Sequence, residues 1–217
     1  SSVNIKIIRG IVDLPSVTSR QIGNDITYVK LSSFTNHTHD ELDIILKNIS
    51  QTNQRGLLLD LRNNAGGLVE SVVNIASQFL DSGMIMYQVD GQGVREDYEV
   101  KSGGEAREIP MVVLVNDYSA SASEILAGAL RDHGRAKLIG TTTYGKGSVN
   151  IQTELSNGGG IFFTIARWYT PNGVLIEGNG IQPDFVVQPD PDSVEDLQLN
   201  KAIEVLEQLL EAIAYLK

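Results

Sequence analysis

Gly56-Leu57-Leu58-Leu59-Asp60-Leu61 runs without a polar residue until Asp60 and shows no apolar–polar alternation. A strand with one wet face alternates, so a run like this suits a strand covered on both faces, as in a parallel sheet between helices. Met111-Val112-Val113-Leu114-Val115 has the same character, and Lys137–Thr141 gives a third strand. Around these three the chain alternates strand and helix, which argues for an α/β fold. Further strands are expected at Ile5–Ile11, Ile26–Leu31, Met84–Val89, Val94–Val100, Val149–Leu155 and Ile161–Tyr169. The third and fourth of these form a hairpin across Gly91-Gln92-Gly93. Thr38 with Glu41 three residues on reads as a capping box opening a helix through Leu42, Ile45, Leu46 and Ile49. A second helix places Leu68, Val72, Ile75, Ala76 and Phe79 on one side. A third spans Glu124–His133 and closes on Gly134. The last spans Val194–Leu216, with Ser193 as its cap and Leu197, Ile203, Leu206, Leu210 and Ile213 on its apolar side. Residues 1–187 form the core, and 188–217 form a Pro/Asp linker plus the C-terminal helix. That helix is expected to pack on the core or on a second subunit in a homo-oligomer.

Composition removes several classes of function. The net charge of −10, with no basic run, argues against a nucleic-acid partner. There are no cysteines, hence no disulfide, thiolate ligand or cysteine nucleophile. No stretch approaches the ~20 apolar residues of a membrane span, and Ser1-Ser2-Val3-Asn4 does not open an export signal. His37 and His39 could pair on a metal, but residues two apart share no helix face, and a solvated loop is simpler. No metal or other cofactor is expected. Asp132 and His133 are neighbours on a helix and diverge by about 100°, so they make no relay by themselves. His133 reads as a polar or cationic cap.

Two other features point to chemistry. Ser119-Ala120-Ser121-Ala122-Ser123 lies between a buried strand and a helix. A serine there stands at the positive end of the helix, beside free backbone N–H groups suited to an oxyanion. The competing view is that these serines merely cap the helix. Tyr144-Gly145-Lys146-Gly147-Ser148 sets a lysine between two glycines, which allow unusual backbone angles and close packing. Lys146 is therefore expected to point inward, where apolar surroundings favour the neutral amine that a base must be. Gly147 stands where a phosphate-binding loop needs Ser or Thr.

Taken in order, five stretches resemble the carboxyl-terminal processing (tail-specific) serine proteases. They are Leu59–Gly67, Ser119–Ile125, Tyr144–Val149, Thr170-Pro171-Asn172-Gly173 and Gly178–Asp184, within roughly residues 25 to 187. The resemblance implies a crotonase/ClpP-like mixed sheet core with flanking helices. It implies Ser121 as nucleophile and Lys146 as general base, a Ser–Lys dyad acting through an acyl-enzyme. The oxyanion donors would be Ala122 with Gly66 or Gly67, Gly67 being favoured. The implied substrate is a protein or peptide with an accessible C-terminus, and the implied setting is periplasm, cell envelope or thylakoid lumen.

The chain departs from the family pattern in places. Asn150 stands where some members carry a lysine-orienting glutamine, and Ala65 where proline is usual. Relatives commonly place a PDZ domain ahead of this region, and the stretch before the core leaves no room for one. A non-enzymatic member serving as a binding or scaffold module is thus one alternative. An acyl-CoA hydratase or isomerase is another, with Glu70 as the only acidic residue near the glycine turn.

Overall fold

The structure is a computed structural model that describes Val3 and residues 14–52 and 54–215; the expected strand at Ile5–Ile11 lies outside these. A six-stranded sheet has the order β1-β2-β3-β6-β7-β10. Its strands are β1 (Val17–Ile22), β2 (Ile26–Leu31), β3 (Gly56–Asp60), β6 (Met111–Val115), β7 (Lys137–Gly140) and β10 (Phe185–Val186). Only β1 runs antiparallel to its neighbour. The three strands expected at its centre are adjacent there. Both edge strands escaped the sequence analysis, because β1 is largely exposed and polar and β10 has two residues.

The unbroken apolar run of β3 follows from its two covered faces. Leu57 and Leu59 join Met111, Val113 and Val115 under α1 (Thr38–Ser50), α2 (Val69–Phe79) and α3 (Ala122–Asp132). Leu58 joins Val112, Leu114 and Ile139 on the opposite face, under α4 (Leu197–Tyr215). The C-terminal helix thus lays Ala202, Val205, Leu206 and Leu210 on its own sheet. Leu206 comes so close to β3 that a Cβ at Gly56 would meet it at 3.1 Å.

A second, antiparallel sheet has the order β5-β4-β9-β8, built from β4 (Met84–Asp90), β5 (Arg95–Glu99), β8 (Ser148–Glu154) and β9 (Gly160–Tyr169). The hairpin at Gly91–Gly93 is present, but β8 and β9 belong here rather than to the parallel sheet. Stacked Tyr87 and Tyr169 rings, 5.0 Å apart, pack β4 against β9.

Two caps differ from expectation. Thr38 lies inside α1, whose cap His37 makes no side-chain bond. The Glu41 carboxylate instead accepts the N–H groups of Ser16 and Val17, and so fastens β1 to the helix. Helix α4 starts later than expected, with Asp196 Oδ1 accepting the Leu199 N–H at its first turn.

Asp196 also holds α4 to the core through Arg62, whose Nη1 donates to it at 2.8 Å. Arg62 is braced by the fully buried Asp60, 2.7 Å from its Nη2. Burial opposes the Arg62 charge, yet hydrogen bonds to Asp60 and Asp196 hold its pKa above the ordinary value. Tyr28 donates to the same Asp60, and burial, then that negative charge, push its phenol well up. For Asp196, burial would raise the carboxyl, but the Arg62 hydrogen bond and the backbone N–H groups of Leu199 and Gln198 leave it below its usual value. A depressed carboxyl stabilises the fold above its unfolded pKa of ~3.9 and loses that contribution as pH falls through its folded value.

Leu206→Ala should therefore destabilise the chain by about 2–5 kcal/mol, measured by urea unfolding. In the same assay Asp196→Asn should be the less stable protein at neutral pH, and the gap to the parent should close only below about pH 4.

Candidate active site

The parallel strands β3 and β6 both end in turns that meet each other. After β3 the chain makes the turn Asn63-Asn64-Ala65-Gly66-Gly67, and after β6 it passes through Asn116–Ala120 into α3. The flanking serines are structural. Ser119 Oγ is buried and donates to the Leu61 carbonyl at 2.8 Å, and Ser123 Oγ is buried and donates to the Asn64 carbonyl at 2.8 Å. Ala120 N–H reaches the same Asn64 carbonyl at 3.0 Å. Ser121 alone of the three is partly exposed. Its backbone sits at φ 56°, ψ −115°, a left-handed region that a residue with a Cβ occupies at a cost of about 1–3 kcal/mol. Strain of this kind marks serines presented on a sharp strand-to-helix turn.

The glycine turn faces this serine. A Cβ on Gly66 would lie 2.8 Å from Ser121 Cβ and 2.9 Å from Ala122 N. The two glycines differ in what their amides do. Gly66 is buried and its N–H is taken by Asn64 Oδ1 at 2.9 Å. Gly67 is exposed, and among the described residues neither its N–H nor that of Ala122 has a hydrogen-bond partner. The first N–H groups of a helix have no partner within the helix, which accounts for Ala122.

The Gly145-Lys146-Gly147 loop is drawn close by its glycines. A Cβ on Gly147 would meet Glu177 N at 2.2 Å, and one on Gly145 would meet Gly180 N at 3.1 Å. Gly145 and Gly147 are buried, but Lys146 is exposed, contrary to the expectation that it points inward. Packing the two glycines against the 177–180 turn directs the residue between them outward. Among the described residues Lys146 Nζ makes no hydrogen bond or ion pair. Asn150 does not orient it: the Asn150 amide donates to Ser148 Oγ and accepts from Thr164 Oγ1 within the β8–β9 pair.

Sequence reasoning assigned no role to Glu124, which is fully buried in the first turn of α3. Its Oε2 accepts the Ser121 N–H at 2.9 Å and the Lys146 N–H at 2.8 Å. Its Oε1 accepts the Gly145 N–H and the Thr143 hydroxyl, each at 2.6 Å. The available signal was Ser121-Ala-Ser-Glu124, a Ser-x-x-Glu spacing just before an apolar helix.

The other candidates lie elsewhere. His133 Nε2 meets the Met84 carbonyl at 2.8 Å, and Asp132 Oδ2 accepts the Asn172 N–H, so the two make no relay. His39 contacts Gln78 and Asp40. No group of three or more metal-ligating side chains occurs among the described residues. A cavity of about 670 Å³ between Leu46, Arg55 and Pro110 includes neither Ser121 nor Lys146.

A mostly parallel sheet, a strained serine at a helix start and unpaired amides beside it define a candidate acyl-transfer site, and residues 25–187 match Peptidase family S41. The chain belongs to that family. It is 41% identical over 199 residues to the carboxy-terminal-processing protease of Bartonella bacilliformis, covering 88% of this chain and 45% of that protein. It is 39% identical over 216 residues to the carboxyl-terminal-processing protease of Picosynechococcus, covering 94% of this chain and 51% of the relative. Among solved structures, a photosystem II D1 C-terminal processing protease matches with a TM-score of 0.77 at 35% identity, over 90% of this chain and 53% of that one. The chain thus spans about half the length of the curated relatives it matches.

Ser119→Ala and Ser123→Ala each remove a buried hydrogen bond but leave a backbone donor on the same carbonyl, the Asn64 N–H on Leu61 and the Ala120 N–H on Asn64. Each should cost about 0.5–1.5 kcal/mol in denaturant unfolding, and each folded variant should keep most of the parent's turnover.

Proposed function

We propose that the chain is a serine peptidase in which Ser121 attacks the scissile carbonyl and Lys146 is the general base. The observation that carries this is the contrast among the three serines: two are tied to carbonyls and the third is held, strained and partly exposed, next to unpaired amides. Lys146 takes the Ser121 proton as the Oγ–carbon bond forms, then passes it to the leaving amine as the peptide bond breaks. The N–H groups of Ala122 and Gly67 face the oxyanion of each tetrahedral intermediate. Gly67 is preferred to Gly66 because the Gly66 amide is already used by Asn64. Water then releases the acyl group from Ser121.

A lysine works as a base only when neutral, and Lys146 is exposed in this structure. A polypeptide laid across the site would cover the lysine that the free chain leaves exposed. The names of the relatives point to protein substrates trimmed near the C-terminus. Two further relatives, from Tetradesmus obliquus and Arabidopsis thaliana, are named as chloroplast proteins, in keeping with an extracytoplasmic or lumenal setting. No helix among the described residues is long and apolar enough to cross a membrane. The exposed Lys146 and the diverted Asn150 also favour a second reading, a catalytically impaired binding module, which the same experiment separates.

A fluorophosphonate probe should label the parent but not Ser121→Ala, and the parent but not that variant should cleave unfolded casein. Lys146→Ala should be inactive, and so should Lys146→Arg, since guanidinium keeps its proton. His133→Ala should stay within a few-fold of the parent, and activity should rise with pH. Unlabelled parent protein, or normal turnover in Lys146→Ala, would sink the dyad.

A further inference from the structure

We infer that Glu124 is the positioning residue that holds nucleophile and base in register, an inference that rests on the dyad proposed above. Ser121 and Lys146 come from different segments, one following β6 and the other preceding β8. A dyad built this way needs something that fixes both backbones at once. Glu124 Oε2 accepts the N–H of Ser121 and the N–H of Lys146 together. The carboxylate therefore spans the two groups directly, one oxygen to both. Its other oxygen fixes the approach to the lysine through Gly145 and Thr143.

The chemistry of the four partners makes an ionised carboxylate specific here. Three are backbone N–H groups and can only donate. The fourth, Thr143 Oγ1, already accepts the Ile181 N–H at 2.7 Å, so its proton is free to go to Glu124. Four donors converge on two acceptor oxygens, and a carboxylate offers about four lone-pair sites with no proton of its own. A glutamine of the same shape turns one of those oxygens into an NH2 group. In either orientation that NH2 faces at least one backbone N–H that cannot reverse: Ser121 and Lys146 in one, Gly145 in the other. The conflict opens the serine turn, the lysine loop, or both.

The exposed lysine fits this arrangement. Glu124 fixes the Lys146 backbone and leaves its side chain without a partner. Forming the dyad then calls on the Lys146 side chain over a main chain that Glu124 already holds. Displacement of reacting groups by ~1 Å can cost about 100-fold in rate, so loss of the clamp should act on the chemical step more than on substrate binding.

The test compares Glu124→Gln, Glu124→Asp and Thr143→Val with the parent. Ser77→Ala serves as a control, since it loses a buried hydrogen bond to the Val73 carbonyl on α2. For each, kcat and KM on unfolded casein and the rate of fluorophosphonate labelling across pH would be measured, with folding checked by circular dichroism and thermal melting. Glu124→Gln should lose about 100-fold in kcat with KM within about threefold. Its labelling curve should move along pH, the lost carboxylate charge acting together with the altered register, whereas Glu124→Asp and Thr143→Val keep that charge and move the curve through register alone. Glu124→Asp, one methylene short of spanning both amides, and Thr143→Val should move kcat and the pH curve in the same direction by less. Ser77→Ala should melt earlier yet keep the parent's kcat and pH curve. If Glu124→Gln fails to fold, Glu124→Asp and Thr143→Val are judged by the same criteria. A folded Glu124 variant with near-parental kcat, or one that loses kcat with its pH curve unmoved, overturns the positioning role. A parent whose labelling survives Lys146→Ala instead overturns the dyad, whatever the Glu124 variants do.

Discussion

Ser119 and Ser123 each bury a hydroxyl against a carbonyl of the turn that follows β3, and Ala120 adds a backbone bond to the same turn. These bonds join the ends of two parallel strands whose central residues are fully buried on both sides. With the strands fixed by helices above and α4 below, the two turns have no freedom to separate. Asn64 completes the junction from the other side, donating to the Leu31 carbonyl and accepting the Gly66 N–H. Backbone bonds at the same junction, Ala120 N–H to Asn64 and Asn64 N–H to Leu61, stay in place whichever hydroxyl is removed. The strain at Ser121 is thus sustained by burial some distance from the hydroxyl it presents.

The second sheet explains how the lysine loop arrives at this junction. Trp168 on β9 donates its N–H to the Gly147 carbonyl and accepts from Ile176, so the loop is threaded between β9 and the turn at 176–180. Trp168 is itself buried against Tyr98 of β5, ring centroids 5.4 Å apart. Arg135 closes the far end of the core, with burial lowering its guanidinium to about 10 while it donates to the carbonyls of Phe79, Ala106 and Ile109. The two sheets thus meet at the loop that carries Lys146.

Much of this was legible in the residues, for physical reasons that differ from place to place. A strand covered on both faces must be apolar throughout, so β3 and β6 announce themselves. Glycines that no side chain can replace, such as Gly66 and Gly147, announce close approaches. Side-chain direction and capping partners are less visible. Thr38 and Glu41 have the spacing of a capping box, yet Glu41 finds better donors on a neighbouring strand. Ser121 and Glu124 have the same spacing, and there the carboxylate does return to the cap N–H while also reaching a loop 22 residues away. Local pattern is identical in the two cases, and long-range donors decide what each glutamate does. The exposure of Lys146 is of the same kind, since it follows from how the 177–180 turn packs on the flanking glycines.

The glycine turn and the glutamate divide the work of the site in a way that bears on how such a site tolerates change. The turn is specified sterically: a Cβ at Gly67 would lie 2.1 Å from the Phe34 carbonyl, and one at Gly66 would strike the serine itself. No small adjustment relieves contacts of that size with backbone atoms. The lysine loop is specified sterically against the 177–180 turn but only by hydrogen bonds against the serine. Substitutions in the glycine turn therefore act on folding and chemistry together. Substitutions at Glu124 can leave both flanking structures packed and change only their mutual register, because each is anchored independently, one by Ser119 and Ser123 and the other by Glu177 and Gly178.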